Sequence, residues 1–293
     1  MLRTVEAESH GAITIVNAMA TGKGAALGID LWTRARVTVT KEAGAFVARN
    51  ISYPDDNADL AKTTAQSVFA SFKADKRLGA VVETESNIPP AVGLKSSSAA
   101  SNAVALASVH ALGRKTNDVK VVGLGVEASL KSGVTLTGAY DDASACYFGG
   151  LVVTDNLNRR ILKRFRPRGR LRVLIHVPNL KRYTREVDPK PFRAIRRFVE
   201  AAHREALLGN YWTSMTLNGL VYSMVLGYET TATMAALNAG AVAAGLTGKG
   251  PAVAAIVPES KKDNVRAAWR RFTGQVVETS FNFRKATVSR PPH

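Results

Sequence analysis

The chain has 293 residues, 46% hydrophobic and 7% aromatic, enough for one large domain or two intimate lobes around a real core. Its one cysteine, Cys146, excludes an internal disulfide and a cysteine-rich zinc site, and points to a reducing, cytoplasmic setting. The formal charge of +17 is lopsided: residues 1–150 hold 15 Lys/Arg against 14 Asp/Glu, and residues 151–293 hold 25 against 9, which suits nucleic acid or a small phosphorylated or carboxylated ligand.

In chain order, the first 50 residues alternate as half-buried strands do, with Val37, Val39 and Ala45–Arg49 the clearest cases. The apolar run Ile13–Ala20 follows Glu6 and Glu8, so it does not read as a secretory leader. Asp59–Lys73 reads as a helix with Leu60, Thr64, Val68 and Phe72 on one face. Gly79–Glu85 reads as a strand, broken by Asn87-Ile88-Pro89-Pro90. Ser98–Leu112 follows as a helix whose small residues allow close packing. Asp118 is the expected cap of the next helix, Val119–Leu130. Residues 131–140 form a glycine- and threonine-rich loop, Asp141–Tyr147 a short helix or turn, and Leu151–Thr154 a strand.

The second half opens on a basic stretch, Arg159–Arg172, and a strand, Leu171–Val177. Helices are expected over 190–208, 211–226 and 229–244, then a strand at Ala252–Val257, a helix at Lys261–Phe272 and a strand at Val276–Phe283. Two charge-free stretches, Ala206–Tyr228 and Thr230–Gly248, are long enough to cross a bilayer. Their load of Asn, Ser and Thr instead suits buried helices of a soluble fold. The mixed order predicts an α+β fold with two lobes, residues 1–155 and 156–293.

One segment carries chemistry on its face: Pro89-Pro90-Ala91-Val92-Gly93-Leu94-Lys95-Ser96-Ser97-Ser98-Ala99. Glycine lets backbone approach a ligand, and three serines lead into a helix whose unpaired N–H groups favour an anion. A serine cap alone would explain one hydroxyl, not three behind Gly-Leu-Lys. The spacing is not that of a Walker A loop. Gly22-Lys23 has Asn17 at the first glycine position, and Gly248-Lys249 has Ala243. Adjacent carboxylates, Asp141 and Asp142, open a short helix, where they could orient a hydroxyl, bind magnesium or simply cap the turn. Thr247-Gly248-Lys249-Gly250 is a second glycine loop, expected between a helix and a strand. His10, His110, His176 and His203 show no metal-ligand spacing.

Pro89–Ala100 resembles the second signature of the GHMP kinases, Pro-x-x-x-Gly-Leu-Gly-Ser-Ser-Ala, departing from it by Lys95 and one extra serine. Gly93–Ser98 and the stretch Gly11–Asp30 are most similar to the archaeal shikimate kinase branch. Gly138–Ala145 resembles the segment carrying the catalytic aspartate, and Ala244–Val253 the third glycine motif, departing from it by Lys249 and Pro251. The resemblance implies a ribosomal S5 domain 2-like amino lobe and a ferredoxin-like carboxy lobe. It implies ATP as phosphate donor, with Pro89–Ala99, Thr247, Gly248 and Gly250 at the nucleotide. It implies Mg²⁺ on Ser98 and Glu127, and Asp141 or Asp142 as the catalytic carboxylate, with Lys23 near phosphate or substrate. Arg182, Arg185 and Arg193 are candidates for a substrate carboxylate. The alternatives are another kinase of the family, such as a homoserine kinase, and a basic nucleic-acid-binding protein.

Overall fold

A computed structural model describes residues 3–135, 138–180 and 190–289. Its framework is a long antiparallel pair, β1 (Thr4–Val16) and β2 (Lys23–Thr40), linked through a 3-10 turn at Ala18–Ala20. β2 is long enough to serve two further neighbours. Lys23–Leu27 pairs with β5 (Leu151–Asp155), and Thr33–Thr40 pairs with β4 (Gly79–Ser86). β3 (Phe46–Asn50) runs parallel to β4, β6 (Arg160–Phe165) pairs with β5, and β11 (Thr287–Ser289) closes on β1, making seven strands. Helices α1 (Asp59–Ser71), α2 (Ser96–Ala111), α3 (Asp118–Lys131) and α4 (Tyr140–Phe148) pack against this sheet. Ala99, Ala103 and Ala107 of α2 are fully buried, and their small size lets the helix lie close on β1 and β2.

The second sheet is antiparallel, in the order β10 (Gln275–Thr279), β7 (Leu171–Val177), β9 (Val253–Pro258), β8 (Ala243–Leu246). Around it lie α5 (Phe192–Leu208), α6 (Tyr211–Leu226), α7 (Thr231–Asn238) and α8 (Lys262–Trp269). One hydrophobic core joins the two sheets: Ile13 and Leu27 of the first share it with Ile175 and Ile256 of the second and with Tyr222 of α6. This is the expected α+β architecture.

Several local expectations change. The helix expected over 229–244 ends at Asn238. Gly240 turns the chain at φ +100°, and Ala243–Leu246 is a strand paired with β9. The glycine loop at 247–250 therefore joins two strands, not a helix to a strand. Asn117, not Asp118, caps α3, its Oδ1 accepting from Lys120 N–H at 2.8 Å. Asp118 instead accepts from Tyr147 and Lys285. The chain leaves β10 at Thr279 rather than Phe283, and Phe281 bridges back to Ile29 of the first sheet. Among the described residues, no helix is long and apolar enough to cross a membrane.

Candidate active site

The loop ahead of α2 is anchored from below. Ile88, Val92 and Leu94 are buried in the core, and Ala12 N–H donates to Leu94 O at 3.3 Å. With those side chains turned inward, the loop's backbone and polar groups face outward. Gly93 sits at φ +93°, and a Cβ there would strike the Thr247 carbonyl. Lys95 adopts a left-handed conformation (φ 66°) as the residue before α2, and it makes no side-chain cap. α2 thus begins at Ser96, two residues earlier than expected, with its first N–H groups uncapped by any side chain. That is an anion site by construction.

The loop between β8 and β9 is fixed to the same place. Thr247 Oγ1 accepts from Thr14 N–H at 3.0 Å and donates to Gly93 O at 2.9 Å. Gly248 N–H donates to Thr14 Oγ1 at 2.8 Å, and Asn17 Nδ2 donates to Gly248 O at 2.8 Å. A Cβ on Gly248 would lie 2.9 Å from Gly93 Cα, so the two loops meet backbone to backbone and only glycine fits.

α4 follows Ala139, held in a left-handed conformation, and places both aspartates in its first turn. Asp141 is 4% exposed. Its Oδ1 accepts from Asn156 Nδ2 at 2.8 Å, and its N–H donates to Asn156 Oδ1 at 3.1 Å. Thr154 Oγ1 donates to the same Asn156 oxygen at 2.7 Å. Gly24 on β2 backs the carboxylate so closely that a Cβ would collide with it. Burial first, and the neighbouring Asp142 second, push the Asp141 carboxyl up to about 7. Asp142 is ion-paired with Lys95, Nζ to Oδ1 at 2.9 Å.

These groups converge on a cavity of about 660 Å³. Pro90, Ala91, Gly93, Lys95, Ser96–Ser98, Asp141, Asp142 and Gly248 line it. Val92, Leu94 and Ala99 support it from behind, with Pro89 beside them, while Thr247 and Gly250 brace the glycine loop. Two expected residues are elsewhere. Lys23 is exposed on β2 opposite Asp155, and Glu127 pairs with Arg159 at 3.0 Å; neither lines the cavity. Of the expected Mg²⁺ pair, Ser98 lines the cavity and Glu127 does not. Among the described residues no cluster of three His, Cys, Asp or Glu could hold a metal. Arg193 is exposed on α5 and does not line the cavity, and Arg182 and Arg185 lie outside the described residues.

Sequence reasoning missed Asn17, Gly24, Asn156 and Lys249. It also missed the far wall of the cavity, where Tyr53 and Asp55–Asn57 follow β3. Lys249 had been visible only as a departure from a glycine motif.

Three of the histidines are buried and structural. His176 packs against Trp269 and Phe272, and His203 Nε2 lies 3.2 Å from Thr154 O. His10 is buried beside Glu8, Asp30 and Arg284.

Comparison with known proteins places this geometry. Residues 59–150 match the GHMP kinases N terminal domain, and residues 192–274 match the GHMP kinases C terminal domain. A protein named shikimate kinase from Methanosarcina mazei is 40% identical over 276 residues, covering 94% of this chain and 93% of its own. Another so named from Pyrococcus furiosus is 44% identical over 275 residues, covering 93% and 97%. Among solved structures, a homoserine kinase from Cytophaga hutchinsonii shares the fold at TM-score 0.75 and 16% identity, covering 99% of this chain and 98% of its own. The match of both halves and of near full-length relatives means that the chain belongs to the GHMP kinase family.

Proposed function

We propose that this chain is a shikimate kinase, transferring the γ-phosphoryl group of ATP to shikimate to give shikimate 3-phosphate, in the cytoplasm. The observation that carries the reaction class is one cavity holding both a buried, near-neutral carboxyl, Asp141, and the uncapped N-terminus of α2 between two glycine loops. The substrate assignment rests on archaeal relatives named shikimate kinase that match nearly end to end. Homoserine kinase, the runner-up, is supported by likeness of fold alone.

In this reading the first-turn N–H groups of α2 and the loops at 89–95 and 247–250 hold the nucleotide phosphates. Asp141 orients the attacking hydroxyl and accepts its proton, its raised pKa suiting it to act as a base near neutral pH. Asp142 serves the phosphate side by holding Lys95. Phosphoryl transfer is mostly positioning and charge stabilisation, so few side chains suffice. Magnesium is expected with ATP, and Ser98, which lines the cavity, would offer it an oxygen. Residues 1–155 would form the nucleotide-binding lobe and 156–293 its partner.

A coupled ADP-release assay with shikimate, homoserine and mevalonate tests the proposal. Turnover is expected on shikimate. Turnover on another of the three, with none on shikimate, would reject the substrate and retain the class.

A further inference from the structure

Two lysines stand where the family signatures expect no cation, and the fold brings them together. Lys95 ends the first loop and Lys249 lies in the second, and both line the cavity with Asp141 and Asp142. The loops cannot separate, because Gly93 and Gly248 touch and Thr247 bonds to Gly93. The position of a Cβ on Gly248 lies 3.4 Å from Lys95 Nζ, so the second loop runs directly past the first lysine. Lys95 is only 7% exposed in its side chain, and Lys249 is half-buried. One carboxylate, Asp142, pairs with Lys95 at 2.9 Å and also attracts Lys249.

Like charges fixed side by side out of water repel, and burial makes each costlier. Such a pair is stabilised by an anion that both can reach. The uncapped N-terminus of α2 opens onto the same space and selects the same kind of ligand. We propose, on the reading of this site as an ATP-dependent phosphotransferase, that Lys249 is a phosphate-gripping catalytic residue. It neutralises charge on the terminal phosphate of the nucleotide while Asp142 holds Lys95 beside it.

The charge state of Lys249 fits that role. Burial first, and Lys95 second, pull its ammonium down to about 8, against the attraction of Asp142. A tetra-anionic nucleotide bound there raises it again, so binding near pH 8 takes up a proton. The ionisable groups lining the cavity with Lys249 are Lys95 from the first loop, Asp141 and Asp142 from α4, and Tyr53, Asp55, Asp56 and Asp59 from the far wall and the start of α1. Asp141, pushed up to about 7, is raised by the same anion, so the uptake owed to Lys249 is the difference between the native chain and Lys249→Arg.

The test is calorimetric titration of the full-length protein with Mg²⁺ and a non-hydrolysable ATP analogue at pH 8, in two buffers of different ionisation enthalpy. The native chain is expected to take up about half a proton more than Lys249→Arg, as a group half-ionised at that pH would. Lys249→Arg, always charged, should keep affinity within a few-fold and lose that share of the uptake. Lys249→Met should lose the same share and weaken binding about 10- to 100-fold, the range of a lost charge-assisted hydrogen bond. In steady state, Lys249→Met should lower kcat and raise KM for ATP while leaving KM for shikimate within about twofold. Uptake undiminished in Lys249→Arg overturns the proposal. So does a Lys249→Met defect confined to KM for shikimate, which would make Lys249 a substrate-carboxylate ligand. The titration needs no shikimate, so a wrong acceptor leaves it interpretable.

Discussion

Asp141 was visible in the sequence as half of an Asp-Asp pair, but what gives it a distinct character was not. Its neighbours Gly24, on β2, and Asn156, in the turn after β5, reach it only once β2 and β5 pair. No spacing along the chain encodes that meeting. Its burial has a measurable cost. Folded Asp141 keeps its proton to about pH 7, whereas in the unfolded chain it ionises near 3.8. Between those values the folded state binds more protons, so stability falls as pH rises. Asp141→Asn removes that liability. Its unfolding midpoint at pH 8 should rise by roughly 5 °C, with little change at pH 3.5, while kcat falls at least about 100-fold. Thermal scans at both pH values and an ADP-release assay read this, and full turnover would reject the role. Gly24→Ala separates position from charge. Gly24 is in regular strand, so the fold tolerates alanine, but the added Cβ must displace the carboxylate. Far-ultraviolet circular dichroism should be unchanged while kcat drops roughly 10- to 100-fold.

At the level of elements, α1, β4, α4, β5, β7 and α6 were legible because each carries its own periodicity or breaker. The segment 229–244 was not. It is rich in alanine and carries no charge after Glu229, so helix and buried strand read alike. Tertiary pairing decides: β8 lies against β9 on one side and α6 on the other. The contact with α6 is glycine on glycine, since a Cβ on Gly219 would collide with Gly245. Neither glycine looks special in sequence, Gly219 least of all, lying inside a helix where glycine is unfavourable. Gly219→Ala should therefore destabilise despite its better helix propensity, by about 3 kcal/mol, because α6 must lift from the sheet. Urea unfolding should show a lower midpoint at unchanged slope. A stabilised variant would mean that α6 and β8 are not in backbone contact. The same shift would disturb the loop after β8, so activity should fall along with stability.

Over the whole molecule, the sequence suggested a division near residue 155, and the family domains match at 59–150 and 192–274. The strands cross that division. β6 and β11, both from beyond residue 155, complete the first sheet, and Asp30 N–H donates to Ser280 O at 2.9 Å. Long-range returns of this kind leave no local signal, so an apparent boundary in sequence need not be a boundary in stability. The side of the first sheet that faces the second is covered by a core shared with α5, α6, β7 and β9. Tyr222 ties the halves further, its hydroxyl accepting from Ala20 N–H at 3.0 Å and donating to Asn17 O at 3.2 Å. Asn17 N–H in turn donates to Asn218 Oδ1 at 2.9 Å. A fragment of residues 1–155 would thus expose the edge of β5, the flank of β1 and an apolar face including Ile13, Ile15 and Leu27. Open edges and bare apolar surface are what drive association of unfolded chains. The fragment should fail to fold alone, giving poor amide dispersion or aggregates. The full chain should unfold in one transition, with calorimetric and van't Hoff enthalpies equal. Two separated transitions, or a soluble fragment with dispersed amide resonances, would show that the shared core is dispensable and that the halves are independent domains. The same coupling explains why the glycine loop can sit in the second half and still belong to the phosphate site of the first: the core that joins the sheets also fixes Gly248 against Gly93.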